Sequence, residues 1–189
     1  ACRPFDLNRD GLVNAEGAGV VVLESREHAD RRGARIRSRL LATAARCEPR
    51  QRQDPPTGRG VRLVLREVLR RAGLDAASLG HVNAHGLSTV AMDRAEAQAI
   101  AAELGDTPVT APKSSFGHAG AGGGLLELVA SVLAVEADAI PPTLNYDTPD
   151  PDCPIQVIHD GPLSGRPRTA ISLNFGSMGQ AAAVAIAAG

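Results

Sequence analysis

The stretch from Gly117 to Ala139 constrains this chain more than any other. It opens GHAGAGGG and continues as an apolar run from Leu125 to Ala139, which Pro141-Pro142 stops. Each glycine costs a helix about 1 kcal/mol relative to alanine. A tract this dense therefore predicts another piece of backbone lying close against it. A helix apolar almost all round predicts burial between layers. Glu127 inside that helix then needs a partner such as Lys113.

The remaining elements fit a layered α/β arrangement with a mixed sheet. Gly19 to Glu24 (GVVVLE) is β-branched and apolar, the pattern of a buried strand. Ser25 to Arg32 reads as a Ser-capped helix with Glu27 in its first turn. Ile36 to Ala45 reads as a strand, and Glu48 to Gly58 as a polar loop broken by two prolines. Val61, Leu65, Val68, Leu69 and Ala72 recur at helical spacing, with Arg66, Glu67, Arg70 and Arg71 opposite and Gly73 as the stop. A short strand at His81 to Ala84, a helix at Asp93 to Leu104 and a short strand at Val109 to Ala111 follow. Thr169 to Asn174 and Ala181 to Ala187 read as an antiparallel hairpin. With no internal linker, residues 1–189 form one domain.

Composition narrows the function classes. The chain has 189 residues, 43% of them apolar, so it can bury a sizeable core. No run of 18 apolar residues is present, which argues against a membrane span. Aromatics are 2%, too few for a base-stacking nucleic-acid platform. Cys2, Cys47 and Cys153 show neither disulfide nor zinc spacing. Asp6, Asn8, Asp10 and Gly11 mimic the start of an EF-hand loop, but its closing Glu position falls on Gly17, so a self-bonded turn is expected rather than calcium. The net charge is −1, yet residues 26 to 71 hold 14 Arg against five acids, and Lys113 is the only Lys. Such a segment reads as solvated helix faces or as a dock for an acidic partner. The near-neutral total argues against nucleic acid.

Three turns carry the candidate chemistry. Val82-Asn-Ala-His-Gly-Leu-Ser-Thr89 is a strand running out into a turn, where α/β proteins place ligands. Val109-Thr-Ala-Pro-Lys-Ser-Ser-Phe-Gly-His118 repeats that arrangement. His118 there is expected at a helix start, whose dipole disfavours imidazolium. Ser172-Leu-Asn-Phe-Gly-Ser-Met-Gly179 forms the hairpin turn, whose Phe-Gly segment could line a pocket. His85, His118, Lys113 and Glu127 together make an electrophilic site for a developing oxyanion. No cysteine sits where a helix N-terminus would lower its pKa, so no nucleophile accompanies them.

These motifs resemble the C-terminal half of the elongating β-ketoacyl synthases of fatty-acid and polyketide biosynthesis. Arg3 to Val13 with Glu16-Gly-Ala-Gly and Val22-Leu-Glu, then Val82 to Thr89, Lys113 to Glu127 and Asn174 to Gly179 match in order. The resemblance implies one half of a thiolase-like fold, with the nucleophilic cysteine on an N-terminal half. It implies a cytoplasmic acyltransferase that condenses an acyl thioester with a decarboxylating malonyl-type unit. By position, His85 and His118 would donate to the thioester oxygen, and Lys113, paired with Glu127, would hold His118. Thr89 would meet the phosphopantetheine arm, and Phe175, Gly176 and Ser177 would gate the acyl pocket. The implied partners are an acyl carrier protein, the N-terminal half and a homo- or heterodimeric mate, with no metal and no cofactor beyond the carrier's arm. Two departures stand out: Leu87 replaces a usual Thr, and Ser177 replaces a usual gating Phe. They leave open a non-catalytic, chain-length-factor-like subunit. Without the cysteine half the chain alone should be inactive.

Overall fold

The computed structural model describes residues 1–49, 51 and 54–189. The prolines and most of the loop expected at 48–58 lie within them, whereas its Arg50, Arg52 and Gln53 lie outside. Among the described residues the strands form a six-stranded mixed sheet. They are β1 (Ser38–Cys47), β2 (His81–Asn83), β3 (Pro108–Thr110), β4 (Gln156–Val157), β5 (Thr169–Phe175) and β6 (Gln180–Ala188). The spatial order is β1-β6-β5-β2-β3-β4. β6 runs antiparallel to both β1 and β5, while β5, β2, β3 and β4 are mutually parallel.

The two faces of the sheet bury different helices. Ala181, Ala183 and Ala185 of β6 face one core with Ile171, Leu173, Val82 and Val109, and alternate residues Val184 and Ile186 face the other. The small alanines admit α2 (Arg59–Ala72) and α3 (Val90–Leu104), whose Val61, Val64, Leu65, Val68 and Ile100 are fully buried. Gly73, in the left-handed region, ends α2 as expected. On the opposite face lies α5 (Gly123–Ala137), preceded by a 3-10 turn at Gly120–Gly122. The glycine tract proves to be a crossing point. A Cβ on Gly122 would stand 2.2 Å from the Gly17 carbonyl oxygen, so only glycine fits there.

The capped helix appears as α1 (Arg26–Arg31), with the Ser25 side chain accepting the His28 N–H. The EF-hand-like stretch is a turn: Asp6 accepts the Asn8 N–H at 2.8 Å and those of Asp147 and Thr148 at 2.8 and 2.7 Å. It therefore ties the N-terminal segment to a distant loop.

Two expectations are corrected. Residues 19–24 form no strand, and Val20 and Val22 stand 86% and 82% exposed. A β-branched run reports fitness for a sheet, but no described strand lies alongside it to complete one. The apolar helix is buried on one side only: α5 covers β5 and β6, while Leu125 and Leu133 remain exposed. Gly19 packs against Leu125, so the exposed run and the exposed helix face adjoin. Counted with the 3-10 turn, Gly120–Ala137 is also long and apolar enough to cross a membrane by length and composition. Its Glu127, however, is fully buried and bonded to the sheet side of the molecule.

Candidate active site

Each histidine turn is built by a strand end and braced by carboxylates or backbone. After β2 the chain pairs once more with β3's strand, Ala84 N–H to Thr110 oxygen. The next two N–H groups, of His85 and Gly86, then donate to Glu96 at 2.7 and 2.9 Å. Gly86 has φ +48, and a Cβ there would meet Ala111 at 2.8 Å, so the turn requires glycine. Asp93, in the first turn of α3, takes the N–H groups of Ser88, Thr89 and Phe5. Acidic side chains at a helix start suit both the dipole and these unpaired donors.

His118 is placed by other means. β3 leads into a one-turn helix, α4 (Lys113–Phe116), and Gly117 at φ +79 turns the chain back. The His118 N–H donates to Val13 at 2.7 Å, and the Ala15 N–H returns to the His118 carbonyl at 3.0 Å. His118 thus precedes the 3-10 turn and is not in the first turn of α5, which corrects the helix-dipole expectation. Its pKa is lowered by burial and then by the Lys113 charge.

The two imidazoles meet edge to face, with ring centroids 5.9 Å apart and planes at 88°. Each keeps a buried Nδ1 with no hydrogen-bond partner among the described residues. Burial first, then Lys113 and His118, press His85 down to about 3. Both rings are therefore neutral at pH 7, and a neutral imidazole can donate one N–H. Beneath them Lys113 bonds to Glu127, both fully buried. Asn174 donates to the other Glu127 oxygen at 3.1 Å. That bond is the extra hydrogen bond a buried pair requires, while Asn83 donates to the Glu127 backbone carbonyl and to Ser131 and so ties the helix turn that carries the pair to β2. Burial raises the Glu127 pKa, with Lys113 and Asn174 offsetting part of the rise.

Both histidines open onto a cavity of about 850 Å³. Phe175, Gly176 and Ser177 line it, as expected of the hairpin turn, together with Leu12 and Leu87. That turn is closed by the Gly176 N–H to Gln180 at 2.7 Å and docked by the Glu48 N–H to Gly179 at 2.9 Å. Thr89 is not on the cavity wall; it precedes α3 with a buried hydroxyl that has no partner among the described residues. A second cavity of about 520 Å³, beside Tyr146 and Cys153, holds neither histidine. Among the described residues no group of three or more His, Cys, Asp or Glu could hold a metal ion.

Several contributors escaped the sequence. Glu96 and Asp93 brace the first turn, and the only signal was two acids three apart on an alanine-rich helix. Val13 and Ala15 brace the second from more than 100 residues away, and no local pattern could reveal them. Cys47, set aside as a loop approach, is exposed at the end of β1 and lines the histidine cavity.

Comparison with known proteins agrees with this geometry. The family model for the β-ketoacyl synthase C-terminal domain matches residues 38–147. The 3-oxoacyl-[acyl-carrier-protein] synthase 2 of Synechocystis sp. is 39% identical over 163 residues, covering 84% of this chain and 39% of that protein. A solved type II PKS acyl-carrier protein in complex with its ketosynthase matches with TM-score 0.93 and 36% identity, over 100% of this chain and 48% of that one. The ishigamide ketosynthase/chain length factor matches with TM-score 0.92 and 34% identity, over 100% and 47%. The chain spans less than half the length of the relatives it matches. With a thiolase-like α/β layering and both histidine turns in place, the chain belongs to the β-ketoacyl synthase family, as its C-terminal domain.

Proposed function

We propose that residues 1–189 act as one domain supplying the oxyanion-binding half of a condensing enzyme. The observation that carries this reading is the pair of neutral, edge-to-face imidazoles, His85 and His118, opening on one cavity. A malonyl-type thioester on a carrier protein would place its carbonyl oxygen between them. As CO₂ leaves, the electron pair of the broken C–C bond moves onto that oxygen, and two N–H donors stabilise the enolate. The enolate carbon then attacks an acyl thioester held on a cysteine of the N-terminal half. The tetrahedral adduct collapses, expelling the cysteine thiolate and leaving a β-ketoacyl carrier. Burial first, and then the Lys113 charge, keeps both histidines neutral, and Glu127 balances that charge in the core. Phe175, Gly176 and Ser177 would gate the acyl chain, and Thr89 is the group assigned to the pantetheine arm. The chemistry asks for no metal or resident cofactor, and the reading places the enzyme in the cytoplasm.

The exposed Leu125, Leu133, Val20 and Val22 support a site completed by an N-terminal half, since the run 19–24 adjoins α5 and these apolar side chains are left uncovered. Cys47 ends a strand instead of opening a helix, the setting that activates a thiol. The chain alone is therefore inactive in this reading. A second reading, a chain-length-factor-like partner subunit, is favoured by Leu87 and Ser177, where the expected hydroxyl and gating ring are missing. The retained histidines favour the catalytic one. The test is to supply the cysteine-bearing half and assay decarboxylation of malonyl-carrier. His118→Ala should abolish it; decarboxylation at the unsubstituted rate would favour the partner-subunit reading.

A further inference from the structure

The wall of the histidine cavity carries a thiol that the condensing reaction does not use. Cys47 is the last residue of β1, pairs with Gln180 of β6, and lines the cavity together with His85 and His118. Strand pairing on one side and the Glu48 N–H to Gly179 bond on the other hold its backbone. The thiol is therefore fixed beside the hairpin turn.

The three cysteines differ in access. Cys2 and Cys153 are only 5% and 3% exposed. Burial raises the pKa of the Cys2 thiol and pushes that of Cys153 up to about 12, so neither offers an accessible thiolate near neutral pH. Cys47 alone of the three is exposed.

The cavity around that thiol is equipped to hold a ligand. His85, 7% exposed, lines it and has an Nδ1 with no partner among the described residues. Charge adds a preference. Among the described residues on the wall, Arg46 is the only one with a formal charge, and its side chain is 41% exposed. Its carboxylate neighbour, Glu67, lies 3.7 Å away and is shared with Arg70 and Arg71. Glu48, next to Cys47, is off the wall and bonded to Thr57 and the Gly60 N–H. The buried Lys113–Glu127 pair is balanced within itself. The cavity mouth thus favours anions.

We propose that Cys47 is a thiol–disulfide exchange site that closes the histidine cavity, with a carboxylate-bearing, low-molecular-weight disulfide as its reagent. The Cys47 thiolate attacks one sulfur and the S–S bond breaks. One half stays on Cys47 as a mixed disulfide, and the other leaves as a thiolate. The reagent is the oxidant, and the departing thiolate takes up a proton in place of the one Cys47 shed. The bound half occupies the space in front of His85 and His118, and a thiol reductant releases it. The site stands on the cavity and its thiol, so it holds for the catalytic and the partner-subunit readings alike.

Two probes separate charge from reactivity: oxidised glutathione, a net anion, and cystamine, a disulfide with two ammonium groups. Each rate of adduct formation on this chain, followed by intact mass and peptide mapping, is divided by its rate with 2-mercaptoethanol. The normalised rate for oxidised glutathione should exceed that for cystamine by about tenfold, and Arg46→Gln should erase the preference. One adduct should form, on Cys47, and Cys47→Ser should form none while its circular dichroism is unchanged. The adduct should shift the imidazole resonances of both His85 and His118, and reductant should restore them. Labelling of Cys2 or Cys153 in place of Cys47, or an adduct that leaves both imidazoles unmoved, overturns the proposal. Equal normalised rates for the two probes, or a preference for cystamine, overturn it as well.

Discussion

His85 comes just past the end of a short parallel strand and opens a glycine turn, His118 follows another such strand and a turn closed by Gly117, and the two turns are held in different ways. The His85 turn hangs on α3, where Glu96 takes two consecutive N–H groups only ten and eleven residues on. The His118 turn is clamped by backbone exchange with Val13 and Ala15 and underpinned by the buried Lys113–Glu127 pair. One ring is thus positioned by a local carboxylate and the other by long-range contacts. Both must hold for two N–H groups to converge on one oxygen. The difference teaches that two strand-end histidines beside a glycine can rest on unrelated supports.

The largest effect should come from the support of His118. Lys113→Met leaves the Glu127 charge buried without its cation, which should destabilise the chain by about 3–5 kcal/mol in denaturant melts. K113M/E127L should recover most of that loss; if it does not, the pair is not what costs the single variant its stability. Glu96→Ala leaves two buried N–H groups unpaired and should cost roughly 2–4 kcal/mol. Its imidazole resonance changes should centre on His85 and spare His118.

The pH dependence sharpens the same contrast. Burial pushes Glu96 up to about 8, against the pull of the Gly86 and His85 N–H groups. The folded chain then holds a proton that the unfolded chain has already released, so stability falls as pH rises from the ordinary carboxylate range to about 8. Burial presses His81, at the start of β2, down to about 4. The unfolded chain binds that proton first, so stability falls as pH drops from about 6.5 towards 4. Each titrating group contributes a slope of at most about 1.4 kcal/mol per pH unit, and His85, pressed down to about 3, adds to His81 on the acid arm. Glu96→Gln should flatten the alkaline arm, and His81→Leu should remove its share of the acid arm and leave the share of His85. An acid arm unmoved in His81→Leu would place that titration elsewhere. The smallest effect belongs to Ala15→Pro, which removes one N–H from the His118 carbonyl and should cost about 1 kcal/mol. Hydrogen exchange at the His118 amide should rise while that of His85 stays protected.

What the sequence disclosed follows the same division. His85, His118, the Lys113–Glu127 pair and the hairpin were legible because each is announced by local residue type at strand ends or by a charge too costly to bury alone. The glycine tract announced a close approach, and Gly17 is the segment that makes it. The braces were not legible, because a carboxylate on a helix and a backbone carbonyl at Val13 carry no pattern of their own. The run 19–24 misled for a related reason. Its residues suit a sheet, but strand formation needs a neighbouring strand, and none of the described strands reaches it. The exposed face of α5 has the same origin, since apolar composition states a need for cover without saying what provides it. Cys47 was missed because its place on the cavity wall comes from β1 pairing with β6, a contact across more than 130 residues.

The convergence of the two imidazoles on one oxygen is the central claim, and a double-variant cycle on decarboxylation tests it most directly. With the cysteine-bearing half supplied, malonyl-carrier decarboxylation is measured for His85→Ala, His118→Ala and the pair. Each single change should cost at least about a hundredfold, and the double change scarcely more, as for groups that act as a unit. Losses that simply multiply, or a single variant with full activity, would contradict a shared oxyanion site.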